Sequence, residues 1–252
     1  MLEEWIRQGR ITVNGEPAEL GMRVTEVDHI RIDGRTVRVE APAGGVRPRT
    51  IVYHKPAGEV TTRSDPQGRP TVFDHLPSPG HGRWVSIGRL DLNTAGLLLL
   101  TTDGELAHRL LHPSRAVERE YAVRVLGEVG VEIIGQLQRG VRLEDGPARF
   151  CSIRDVGGTG ANHWYHVVLT EGRNREVRRL WESQGVRVSR LIRVRFGPIL
   201  LPRRLRPGHS QALSDEETRA LYRAAGLEQP RVARPTRSRQ RPSSGPKRRG
   251  RR

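Results

Sequence analysis

A single cysteine, Cys151, among 252 residues excludes an internal disulfide. It also has no partner that would mark an activated thiol. The nine histidines are scattered without the spacing of a metal-ligand set. No run approaches the roughly 18–20 apolar residues needed to cross a bilayer, and the longest apolar cluster, Leu97 to Leu100, is strand-sized. The opening Met-Leu-Glu-Glu-Trp lacks the basic-then-apolar order of a signal peptide. These absences predict a soluble cytoplasmic chain without a structural metal; separately, no cofactor and a monomeric state are expected.

Lysine is nearly absent too: only two of the 44 basic residues are Lys. Arginine suits bidentate phosphate contact, although genome base composition would produce the same bias. Acid is missing altogether from residues 231–252, where nine Arg and one Lys carry +10 of the net charge of +16. A basic segment rich in Pro, Ser and Gly cannot bury a core, so residues 227–252 are predicted to be a disordered tail. The charge favours a polyanionic partner, with affinity that falls as salt rises.

What is present divides into two folded parts. In residues 1–42, Leu2–Gln8 reads as a helix stopped by Gly9, followed by hairpins turning at Asn14-Gly15 and Asp33-Gly34. Residues 41–49 read as a linker. From Thr50 to Gly226 short strands alternate with helices. Predicted strands lie at Ile51–Tyr53, Trp84–Ile87, Leu97–Thr101, Tyr121–Leu126, His166–Leu169 and Val188–Phe196. Predicted helices lie at Gly104–Leu111, Val131–Gln138 and Asn174–Gln184, with a last one behind the capping box Ser214/Glu217. The class is α+β with a mixed, largely antiparallel sheet.

The chemistry-bearing candidate is Asp91, between Arg89 and a Leu-Asn-Thr-Ala-Gly turn at a strand end. A carboxylate there is partly desolvated yet reachable, as a nucleophile or general base must be. For an isolated Asp-x-x-Thr, however, capping a turn is the ordinary reading. Asp103, directly before Gly104, is assigned to capping its helix. Trp5, Trp84, Trp164 and Trp181 are expected in packing rather than as stacking platforms, and Arg193 and Arg195 on a solvated strand face. The absence of clustered carboxylates argues against a nucleic-acid enzyme that uses metal.

The stretch Gly88-Arg89-Leu90-Asp91-Leu92-Asn93-Thr94-Ala95-Gly96-Leu97-Leu98-Leu99-Leu100-Thr101-Thr102-Asp103-Gly104 closely resembles the central motif of the RsuA/RluB-type pseudouridine synthases. Lys55-Pro56-Ala57-Gly58, Arg119-Glu120-Tyr121-Ala122-Val123 and Glu171-Gly172-Arg173-Asn174-Arg175-Glu176-Val177-Arg178-Arg179-Leu180 resemble three further family motifs in the same order. The resemblance implies the pseudouridine synthase fold over residues 50–226. It implies Asp91, Tyr121 and Arg178 as catalytic positions: the carboxylate, a ring facing the uracil and a basic partner. It also implies RNA contacts at Arg89 (a wedge in the space left by a flipped nucleotide), Val177 (beneath the base), Arg173 and Lys55. Residues 1–42 resemble the back part of an S-four-type RNA-binding module without its leading helix, so a truncated module is expected.

Through the loop from Thr61 to Asp74 the sequence most resembles the RluB branch, which modifies large-subunit (23S) ribosomal RNA. A small-subunit (16S) enzyme and a noncatalytic ribosome-assembly protein are the competing readings. Only an enzyme has a need for Asp91, Tyr121 and Arg178 together.

Overall fold

The computed structural model describes residues 2–19, 22, 24, 28–37, 47–127, 129–159 and 161–230. The described residues divide into two compact units, one within residues 1–47 and one of residues 48–230. Residues 231–252 of the predicted tail (227–252) and most of the predicted linker (41–46) lie outside the described residues.

In the first unit, α1 (Leu2–Arg7) precedes β1 (Ile11–Val13), β2 (Glu16–Pro17), β3 (Ile30–Ile32) and β4 (Arg35–Val37). These strands form an antiparallel sheet in the order β2-β1-β3-β4. Both hairpin turns have the positive φ that the dipeptides require, at Asn14 (54°), Gly15 (95°), Asp33 (50°) and Gly34 (77°). Arg38 and Val39, which would extend the last strand, lie outside the described residues.

The second unit contains β5 (Thr50–Lys55), β6 (Val85–Ile87), β7 (Ala95–Thr101), α2 (Gly104–Leu111), β8 (Arg119–Leu126), α3 (Val131–Arg139), β9 (Val141–Leu143) and β10 (Gly146–Ala148). It continues through β11 (Ser152–Thr159), β12 (Asn162–Leu169), α4 (Glu176–Glu182), β13 (Val188–Phe196), β14 (Ile199–Leu200), β15 (Ser210–Ala212) and α5 (Asp215–Ala224). Among the described residues, nine strands make one sheet whose main path is β11-β12-β8-β13-β7-β5-β15, with β6 and β14 pairing at β7 and β13. Every pairing in it is antiparallel except β13–β7, which is parallel. The fold is therefore α+β with a mixed, largely antiparallel sheet.

The apolar run Leu97–Leu100 owes its lack of alternation to burial on both sides. Leu98 and Leu100 enter one core with Tyr121, Val123, Tyr165 and Trp181, while Leu97 and Leu99 enter another with Leu106, Leu110, Phe196 and Tyr222. Each of the four is fully buried, a contribution of roughly 2 kcal/mol per leucine. Asp103 caps α2 by accepting from the amides of Glu105 and Leu106 and also receives the Tyr222 hydroxyl. The Ser214/Glu217 capping box starts α5. Trp84 and Trp181 are buried, and Trp5 and Trp164 half-buried.

Two expectations are corrected. The helix predicted from Asn174 starts at Glu176, because Arg175 stands in the left-handed region (φ 48°) as its N-cap. Arg193 and Arg195 do not share a solvated face. Between them the pairing with β8 slips by one residue, and such a bulge re-aims side chains. Arg193 is buried with Nε donating to the Leu97 carbonyl, and Arg195 pairs with Glu118 and Glu120.

Candidate active site

Asp91 stands on the link between β6 and β7, and the main chain around it is held from Leu90 to Thr94. The Leu90 carbonyl accepts the Thr61 hydroxyl (3.0 Å), and the Asp91 carbonyl accepts the Thr94 amide (3.0 Å) and Lys55 Nζ (3.1 Å). The Leu92 carbonyl accepts the Gly58 amide (2.8 Å), the Asn93 carbonyl accepts Arg178 Nη2 (2.9 Å), and the Thr94 carbonyl accepts Lys55 Nζ (2.9 Å). Five successive carbonyls are thus bound. No hydrogen bond or ion pair among the described residues reaches the Asp91 carboxylate, which is half-buried. A fixed backbone beneath free carboxylate oxygens is what a nucleophile or general base requires.

The Lys-Pro-Ala-Gly motif acquires its physical meaning here. Lys55 is fully buried, and Gly58 turns with φ 98° so that its amide meets Leu92. Burial pulls the Lys55 pKa down from 10.5 to about 8, opposed by the charges of Glu59 and Asp91. Lys55, expected to touch RNA, does not line the cavity in front of Asp91; its ammonium is spent on the carbonyls of Pro56, Asp91 and Thr94, a post under the Asp91 turn.

Arg178 rises from α4 behind the same turn. Besides the Asn93 carbonyl it donates Nη1 to the Val188 carbonyl at 3.1 Å, tying the turn to β13. Burial, and next the like charge of Arg175, pull its pKa down, while the Asp91 carboxylate pulls it back up. It grips the backbone of the turn rather than pairing directly with the carboxylate.

A cavity of about 380 Å³ opens in front of Asp91, within the size range of small-molecule sites. It is lined by five of the seven expected site residues, Arg89, Asp91, Tyr121, Arg173 and Val177, whereas Lys55 and Arg178 stand behind its wall. Tyr121, on β8, and Val177, in the first turn of α4, are buried in one apolar cluster with Leu191. Arg89 is exposed at the edge, where no hydrogen bond or ion pair among the described residues holds it. Arg173 is committed elsewhere. It contacts Asp145, Glu171 and Glu176 at 2.9–3.2 Å and donates to the Pro147 carbonyl at 2.8 Å. An RNA phosphate would have to compete with three carboxylates there. Arg179, the next residue after Arg178, pairs with Asp145 at 2.7 Å.

Lining residues with no site role assigned from the sequence include Thr94 and Arg119, which lie inside two of the motifs, and Arg193 and Phe196, which lie outside them. Arg119 and Arg193 are buried and lie against the Phe196 ring, 5.2 and 5.4 Å from its centroid. Alternation of charge and apolar side chains along β13 suggested solvent for Arg193, and nothing local signals the bulge that buries it. Among the described residues no cluster of three or more His, Cys, Asp or Glu is placed to hold a metal, and no helix is long and apolar enough to cross a membrane.

Residues 49–183 match the RNA pseudouridylate synthase family, and residues 1–30 match the S4 domain. The chain is 57% identical to the ribosomal large subunit pseudouridine synthase B of Pseudomonas aeruginosa, over 90% of this chain and 58% of that protein. It is 56% identical to the protein of the same name from Yersinia pestis, over 90% of this chain and 72% of that one. For the Escherichia coli K12 protein of that name the figures are 57%, 87% and 76%. The fold is similar to a crystal structure of a pseudouridylate synthase, with TM-score 0.63, 26% identity, and coverage of 87% of this chain and 91% of that one.

Proposed function

The chain belongs to the RNA pseudouridylate synthase family, and from that premise we propose that it isomerises a specific uridine to pseudouridine in large-subunit (23S) ribosomal RNA. The large-subunit address rests on the relatives that share 56–57% of its residues and bear that name. The chain acts in the cytoplasm as a monomer, on the ribosomal RNA or an assembly intermediate.

The reaction breaks the N1–C1′ bond, turns the uracil and forms a C5–C1′ bond; the proton lost at C5 is matched by one gained at N1. No oxidant, reductant or energy source enters that balance. One carboxylate suffices, either attacking C1′ or removing a neighbouring sugar proton, and Asp91 is its place. The target base must leave its stack, at a cost of roughly a few kcal/mol. The Tyr121 ring replaces part of the lost stacking, worth about 1–3 kcal/mol, and Val177 packs beneath the base. Arg89 fills the gap in the RNA. Arg178 and Lys55 position the Asp91 turn without touching substrate.

The observation that carries this reading is the free Asp91 carboxylate on a turn whose five carbonyls are all bound, facing a cavity shared with Tyr121 and Val177. Asp91→Asn is expected to abolish pseudouridine formation while RNA affinity stays nearly intact; substantial product from that variant refutes the assignment. Mapping pseudouridine in both ribosomal RNAs of cells lacking the protein tests the address. One missing site in 23S RNA is expected, and a missing site in 16S RNA instead moves the substrate to the small subunit.

A further inference from the structure

The lining of the cavity carries two buried polar groups without partners among the described residues. Arg193 is 2% exposed; its Nε is used on the Leu97 carbonyl at 2.7 Å, but Nη2 is buried and has no acceptor among the described residues. No described carboxylate forms an ion pair with it. The Thr94 hydroxyl, lining the same cavity, is likewise buried and unpartnered. Buried donors are rarely left so, because water is lost and nothing replaces it.

Charge points the same way. Arg119 lies on the same Phe196 ring, and its Nη1 is spent on the carbonyls of Val117 and Thr170. Burial pulls the Arg119 pKa down, and the Arg193 charge adds to that effect, against opposing contributions from Tyr121 and from the Glu176 carboxylate. Two cations therefore share one desolvated wall without a carboxylate paired to either.

The backbone places Arg193 between the two halves of the site. It pairs with Tyr121 of β8 on one side and with Gly96 of β7, five residues after Asp91, on the other. Its position is fixed on both sides. The Gly96 backbone approaches so closely that an added Cβ would lie 2.3 Å from the Arg193 carbonyl oxygen.

We propose that Arg193 is a substrate-contacting residue whose terminal N–H groups donate to a carbonyl oxygen of the extruded uracil, with Arg119 beside it enriching the positive field. When the N1–C1′ bond breaks, its electron pair leaves with the base and spreads onto the ring oxygens. A fixed guanidinium there binds the detached base more tightly than the intact one, which is the condition for lowering a barrier. The base is favoured over a phosphate by burial. Phosphates remain joined to neighbours outside the cavity, whereas the base is the part of the nucleotide that enters.

This assignment rests on the proposed isomerase activity, and the test separates the two. The full chain is assayed in single turnover at saturating RNA, on the ribosomal RNA fragment in which it forms pseudouridine. Arg193→Met is expected to slow the step roughly 10²-fold or more, with RNA affinity within about threefold. The target uridine is then replaced by 2-thiouridine or 4-thiouridine, since sulfur accepts hydrogen bonds poorly. One of the two should slow the wild type about tenfold yet slow Arg193→Met less than about twofold further, the non-additivity of a direct contact. Equal slowing of both proteins by each thio base overturns the contact. If a methylphosphonate at the adjoining phosphate is the change that Arg193→Met ignores, the ligand is phosphate and the base assignment fails. Should Arg193→Met not fold, Arg193→Lys enters the same cycle, and wild type indifferent to both thio bases refutes the proposal without any variant. A wild type that forms no pseudouridine in any ribosomal RNA removes the activity, and this assignment with it.

Discussion

Replacing Lys55 by Met probes how the Asp91 turn is held. The Lys55 ammonium donates to the carbonyls of Pro56 (2.9 Å), Asp91 (3.1 Å) and Thr94 (2.9 Å), with Leu92 at a marginal 3.5 Å. Methionine fills similar space but donates nothing, so the Pro56 and Thr94 carbonyls lose their ammonium partner, while the Asp91 carbonyl keeps the Thr94 amide. At roughly 1 kcal/mol for each of the two, the low end for an unsatisfied buried acceptor, the variant loses about 2 kcal/mol of stability at pH 7. The loss has a pH signature. Folding pulls the Lys55 pKa from 10.5 to about 8. Between those values the unfolded chain keeps the proton that the folded chain has released, so wild-type stability rises with pH through this window relative to a variant lacking the amine. The gap between the two proteins should therefore widen from pH 8 to 10.5, by at most about 3 kcal/mol. Urea unfolding of both proteins at half-unit pH steps measures it. Catalysis should fall roughly 10²-fold at saturating RNA, because a displaced carboxylate loses its attack geometry, while RNA affinity holds. A gap that is constant or narrowing across this window would refute the buried-ammonium account.

Gly96→Ala should cost at least about 3 kcal/mol, because φ is +106° and the new Cβ would meet backbone of Arg193 at 2.3 and 2.6 Å; a urea midpoint shift equivalent to under about 1 kcal/mol contradicts that close approach. Removing residues 231–252, with their ten cations, should weaken RNA binding and flatten the salt dependence by about 0.7–0.9 in log–log slope for each phosphate no longer neutralised. Turnover at saturating RNA should survive the truncation, and its loss would give the tail a part in the chemistry.

Local patterns were readable where the physics is local. The Asn14-Gly15 and Asp33-Gly34 turns, the Asp103 and Ser214 caps and the strand at Val188–Phe196 depend on neighbours within a few residues, and all stand where the sequence places them. The resemblance to known motifs located Asp91, Tyr121 and Val177, which the fold brings to one cavity. It did not reveal how each motif residue acts. Lys55 and Arg173 read as RNA contacts because Lys and Arg ordinarily seek solvent or phosphate. Their partners, carbonyls 36–39 residues away for Lys55 and the Asp145 carboxylate for Arg173, arrive only with the tertiary structure. Arg193 escaped for a related reason. A bulge and a strand crossing reverse the surroundings that its alternating sequence suggests.

The parallel pairing of β13 with β7 also dictates an order of assembly. β7 and β8 are not neighbours; β13 enters between them and joins the β5–β7 half of the sheet to the β8–β12 half. A growing chain therefore has no central strand until Phe196 has been synthesised, although Asp91 and Tyr121 were added long before. Until then, the carboxylate and the aromatic ring belong to two separate sheets with open edges. Activity should switch on in one step late in synthesis, and a chain ending before Val188 would carry Asp91, Tyr121 and Arg178 without a site to put them in.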